Sequence, residues 1–132
     1  MNASTERNDQ ELIQAVDALH QRACSAQREL FAVIVRVDRH KAWRDSGARD
    51  MAHWLRMRLG ISEWKARRWL AAAHALEGLP LVSQAFSSGE LGVDKVVELT
   101  RFATSETEGD LLRWAKHVSC GAIRHKGDLV LR

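Results

Sequence analysis

The stretch from Asp9 to His40 holds neither glycine nor proline, so nothing in it interrupts a helix. Apolar or small residues recur at Leu12, Val16, Leu19, Ala23, Ala26, Leu30, Val33 and Val37, in alternating steps of four and three. Ile13, Phe31 and Ile34 widen that stripe into a heptad-like seam. At 1.5 Å per residue such a helix is about 48 Å long, more than a domain of this size needs. It can brace the rest of the fold or pair with another chain. Alanine at two seam positions weakens the coiled-coil case, so an intramolecular brace is the expectation. The polar residues 1–8 ahead of it are expected to be a disordered N-terminus.

A helix this long pulls the whole chain toward an all-α fold. One proline, eight glycines and no tyrosine in 132 residues agree with that. The length suits one helical domain over residues 9–132 with its own core. Hydrophobic content of 45% and charged content of 28% are those of a soluble globular chain. No apolar run approaches the roughly 20 residues of a membrane span, and the N-terminus lacks a signal-peptide core. No membrane partner and a cytoplasmic location are therefore expected. Cys24 and Cys120 stand far apart and read as free thiols rather than a disulfide framework.

The segment from Asp50 to Leu76 reads as helix, tight turn, helix. Gly60 breaks the first helix, Ile61 plugs the corner and Ser62 caps the second. Ala66, Trp69, Leu70, Ala73 and Leu76 form an inward stripe, with Lys65, Arg67, Arg68 and His74 outside it or on its flanks. Trp54, Trp64 and Trp69 are expected to line the inner wall of the fold. Charge also concentrates here. Residues 1–40 carry five basic and six acidic side chains, residues 41–80 eight and four, and residues 81–132 seven and seven. All the excess positive charge thus sits in the middle third, which suits an anionic partner and nucleic acid first. An arginine-rich solvated helix pair accounts for the same charge without a partner.

Between the two long elements, residues 41–49 form a loop turned at Ser46-Gly47 and pinned by Trp43. Beyond Gly78, Pro80 opens a short helix that Ser87-Ser88-Gly89 stops. Leu91-Gly92-Val93-Asp94 echoes Leu59-Gly60-Ile61-Ser62 at an offset of 32 positions, with Asp94 in the place of the cap. Ser105 and Glu108 have the spacing of a capping box ahead of Leu111, Leu112, Trp114 and Ala115. Residues from Ala122 onward read as a tail. The chain stops at Arg132 directly after Leu129, Val130 and Leu131, and is expected to be part of something longer.

Taken in order, Trp54-Leu55, Leu59-Gly60-Ile61-Ser62, Ala66-Arg67-Arg68, Leu76 with Leu79-Pro80, Ala85, Gly89, Leu91, Trp114-Ala115, Ser119 and Ile123-Arg124 resemble the 13E12 repeat family of actinobacteria, domain of unknown function 222. No single motif is specific; the order and spacing of the set carry the likeness. Members typically place this helical region ahead of an HNH endonuclease domain. The resemblance therefore implies a DNA-associated protein. No nuclease motif follows here, with neither a paired-Cys zinc knuckle nor the His and Asn set of HNH chemistry, so the resemblance transfers no catalysis.

The residues themselves support no enzyme. His117, Cys120 and His125 make a three-member set with no fourth zinc ligand nearby in sequence, and ordinary helix-end and core roles account for them. The carboxylates lie at helix starts (Asp50, Glu63, Asp94, Glu106), where they complement the helix dipole. No nucleophile elbow and no phosphate-binding glycine loop is present, so no catalytic residue, metal or cofactor is assigned. The candidate DNA contacts are Arg56 and Arg58 at the end of the first corner helix, with Lys65, Arg67 and Arg68 on the second. A helix-turn-helix would hold phosphates and read guanine edges with such residues. Most αα-corners are structural, however. The leading expectation is a non-catalytic DNA-associating module; the alternative is a protein-interaction or oligomerisation scaffold using the long helix.

Overall fold

The computed structural model describes residues 3–132, and among these every regular element is helical. The elements are α1 (Ala3–His40), a single 3₁₀ turn (Arg44–Ser46), α2 (Met51–Leu59), α3 (Glu63–Leu76), α4 (Pro80–Ser88), α5 (Val93–Leu99), α6 (Glu108–Ala115) and α7 (Cys120–Val130). The all-α expectation holds. The first helix begins at Ala3 rather than near Asp9. Residues 3–8 contain no breaker, and Glu6 sits in the first turn, where the dipole favours it. The part of the N-terminal expectation that concerns Met1 and Asn2 lies outside the described residues.

The second half of α1 is the floor on which α3 and α4 rest. Cys24, Phe31, Ile34 and Val35 are its buried residues. Phe31 is the junction, its ring 5.3 Å from Trp69 of α3 and 5.5 Å from Phe86 of α4. Burying one such phenyl ring contributes roughly 2–3 kcal/mol. Polar ties fix the register of this layer. His74 Nε2 lies 2.7 Å from Asp38, Arg39 donates to Glu77 at 2.9 Å, and Arg28 donates to the buried Ser83 hydroxyl.

The brace expectation is corrected in one respect. Leu12, Ile13, Val16, Leu19 and Val33 are all at least half exposed, whereas Leu30, Phe31, Ile34 and Val37 of the same seam pack on the core, so the seam braces the body only over its second half. The body also takes up Cys24 and Val35 on the neighbouring stripe. Heptad spacing shows that a stripe exists, but not how much of its length a neighbour will cover.

Local signals set most of the boundaries. Asp50 accepts the His53 N–H at 2.8 Å as the N-cap of α2, and Ser62 accepts the Lys65 N–H at 3.0 Å as that of α3. Gly60 ends α2 with φ 68°. Two predicted caps are not where spacing puts them. The cap of α5 is Gly92, and Asp94 lies inside the first turn. Ser105 does not cap α6. Instead Thr104 and Thr107 bond one another reciprocally, each backbone N–H reaching the other hydroxyl, at 2.9 and 3.2 Å.

That leaves Glu108 free for a longer reach. It is 2% exposed, and its carboxylate accepts the Leu81 and Val82 N–H groups at 2.9 and 3.0 Å. Glu108 therefore caps α4, whose own N-cap Leu79 has no side-chain acceptor. The expected tail is helix α7, opened by Ser119, whose hydroxyl accepts the Ala122 N–H at 3.1 Å. Gly127 lets it pack tightly: a Cβ there would lie 3.0 Å from the Phe102 ring.

Candidate nucleic-acid interface

The α2–α3 corner carries all five candidate contact residues, and the fold sends them in three directions. Lys65 and Arg68 lie one turn apart on the side of α3 that faces α5 and α7. Arg67, between them in sequence, turns away and sits 3.2 Å from Glu63, beside a depression shared with Trp43 and Asp50. Arg58 lies over the Trp54 ring at 5.4 Å, at the far end of α2. Arg56 is exposed in the last turn of α2. They do not form one patch.

The structure assembles a different set around α3. Arg68 stacks 4.6 Å from the Trp64 ring, and Lys65 lies 5.1 Å from the ring of Trp69. Trp54 and Trp69 are half-buried against the core, as an inner wall requires. Trp64 is not; it is 62% exposed. It stands two residues before Ala66, about 200° around the helix from the buried stripe at 3.6 residues per turn. A cleft of about 280 Å³ opens beside it, lined by Lys65, Arg68 and Trp69 of α3, Asp94 and Glu98 of α5, and Arg124 of α7, among others.

Glu98 is the centre of this arrangement and only 3% exposed. Arg124 donates Nε to it at 3.1 Å, Arg101 donates Nη1 at 3.0 Å, and Arg68 lies 3.8 Å away. A carboxylate taken out of water is costly unless paired and hydrogen-bonded. Here guanidiniums from α3, from α7 and from the turn after α5 converge on one carboxylate, and the site keeps a positive excess. Arg101 also donates to Asp128 at 2.8 Å. That bond raises the Arg101 pKa and holds the Asp128 carboxyl below the usual aspartate range. The bond to Glu98 likewise raises Arg124. Burial pushes the Cys120 thiol up, so at neutral pH it is a thiol rather than a nucleophilic thiolate. Its sulfur lies 3.5 Å from the Asp94 carbonyl.

Chemically, the arrangement offers fixed cations beside an exposed aromatic face, the means by which proteins hold phosphates and stack bases. Among the described residues no group of three or more His, Cys, Asp or Glu gathers as a metal site. No described helix is long and apolar enough to cross a membrane. Reading the sequence alone misses Arg124, Arg101 and Glu98 as members of the site. Ser119 ahead of a helical run was the one signal that could have placed Arg124 on a helix. Nothing local announces that its partner lies on α5.

No curated protein and no solved structure matches the chain. A family model described as Domain of unknown function (DUF222) matches residues 11–126, from the first turns of α1 into the second half of α7. A match over that span, covering the corner and the Glu98 cluster, places this chain in the DUF222 family.

Proposed function

We propose that the chain is a non-catalytic, cytoplasmic DNA-associating module, working with a nuclease of the HNH type rather than as one. The observation that supports this best is the exposed Trp64 with Arg68 stacked against it in the first half of α3, flanked by Lys65 and Arg124. The N-terminal part of the second helix is where a helix-turn-helix meets DNA. A helix N-terminus adds a partial positive charge favourable to phosphate. Arg68 is held by Trp64 and Glu98 before any ligand arrives, which lowers the ordering cost of binding. The resemblance to regions that precede HNH domains points to the same partner class. The reading assigns no catalytic residue and no cofactor.

Titration of a fluorescent duplex with the protein across a salt series tests this. With Lys65, Arg68 and Arg124 each neutralising a phosphate, the slope of log K against log salt should be about −2.7. Lys65→Ala, at an exposed position, should flatten that slope by about one unit. Arg67→Ala should leave it nearly unchanged, because Arg67 points away from the cleft. Absence of binding even at low salt would sink the proposal.

A further inference from the structure

The long helix carries two stripes; the body covers one, and of the other only its C-terminal part at Leu30 and Val37. Cys24, Phe31 and Val35 face the core. The heptad seam lies roughly a third of a turn away at 3.6 residues per turn. Along it Leu12, Val16, Leu19 and Val33 are 59%, 65%, 60% and 50% exposed, and Ala23 and Ala26 between them are exposed too. Every residue from Ala3 to Ala23 is exposed. A helical stretch of that length with little tertiary packing is marginal in water, since most helical stability in proteins comes from packing an apolar face. From Leu12 to Ala26 and at Val33 the seam is therefore unpartnered and needed, while Leu30 and Val37 are partly buried beside the core and keep only an outer edge exposed.

We propose that the seam is the interface of an antiparallel homodimer, α1 pairing with α1 of a second copy about a two-fold axis between Cys24 and Ser25. In that register Ala23 meets Ala26 of the second copy at the centre, where small residues let the helices approach closely. Outward, Leu19 meets Leu30 of the second copy, Val16 meets Val33, and Leu12 meets Val37. Every layer pairs residues of like size. Because a two-fold interface is self-complementary, each contact occurs twice.

Charge selects this register over its neighbours. The positions flanking the seam place Arg22 opposite Glu29 of the second copy, and Glu29 opposite Arg22. Both side chains are exposed. Sliding the axis by half a heptad would set Arg22 against Arg22 and Leu19 against Ala23. A parallel pairing would set Arg22 beside Gln27 and Glu29 beside Ile34, with no opposite charge at either place. Flanking charges of this kind fix orientation and partner in coiled coils.

Sedimentation equilibrium of the full chain from micromolar to millimolar concentration tests the proposal. The expected result is a monomer–dimer equilibrium. Leu19→Asp should raise the dimer Kd at least about a hundredfold, since two Leu19–Leu30 layers are lost. Leu19 is exposed in the monomer and all five tryptophans lie outside α1, so an unchanged near-ultraviolet tryptophan spectrum will accompany the loss. Arg22→Glu should weaken the dimer, and Arg22→Glu combined with Glu29→Arg should restore it. A chain that stays monomeric throughout overturns the proposal, as does a dimer indifferent to Leu19→Asp. A dimer that the double charge swap fails to restore overturns the antiparallel register. None of these readouts involves DNA.

Discussion

Glu98 and Glu108 are two buried glutamates whose chain positions suggest ordinary helix-surface roles. Each joins elements far apart in sequence. Glu108 caps α4 through the Leu81 and Val82 N–H groups. Glu98 draws Arg68, Arg101 and Arg124 together. Replacing Glu98 by Gln keeps the shape and removes the charge, leaving Arg68 and Arg124 without this counter-ion and Arg101 with Asp128 alone. The arginines keep contact with water, so the loss is screened. A destabilisation of about 2 kcal/mol is expected, below the full value for breaking a buried pair. Urea unfolding measures it, and a change within about 0.5 kcal/mol, the ordinary surface range, would show that Glu98 holds nothing together. Trp64 teaches the complementary lesson. A tryptophan in a helix invites a core role, yet its angular position relative to Ala66 puts it in solvent.

At the scale of elements, the helix ends differ in how far their causes lie. Gly60 and Gly89 both close helices with positive φ, 68° and 83°. A Cβ at Gly60 meets nothing within 4 Å, whereas one at Gly89 would stand 2.9 Å from the Gln21 Cα. Gly60→Ala should therefore cost only the left-handed backbone penalty, about 1–2 kcal/mol. Gly89→Ala adds a clash with the backbone of α1 and should cost clearly more, with the α1–α4 contact loosened. Thermal unfolding of the two variants side by side checks the order; equal losses would mean that the close approach of α4 to α1 does not matter. The corner at Gly60 and Ser62 was legible because its causes lie within four residues. The cap of α6 was misread because Ser105 and Glu108 have the right spacing while the Glu108 side chain is engaged elsewhere. Helix α7 read as a tail because Gly121 and Gly127 lower its propensity. Gly127 is there for Phe102, a contact no local window contains.

For the whole molecule, the division is between a packed body and the exposed first half of α1. Amide exchange should report it directly. Residues around Phe31 to Val35 should exchange only through global unfolding, and residues 3–19 much faster at high dilution. Raising the concentration should slow exchange in residues 3–19 if the seam pairs, and leave it unchanged if it does not. Sequence by itself determined the all-α class, the long first helix and the α2–α3 corner, because these follow from periodicity, breakers and caps acting over a few residues. It also placed the positive charge in the middle third. Tertiary structure alone decided how much of the α1 seam meets the body, which of the five basic residues share a face, and that α7 completes the cleft with Arg124. Those outcomes depend on angles between helices and on contacts across 25 or more residues of chain, such as Glu98 to Arg124, and local pattern carries no information about either.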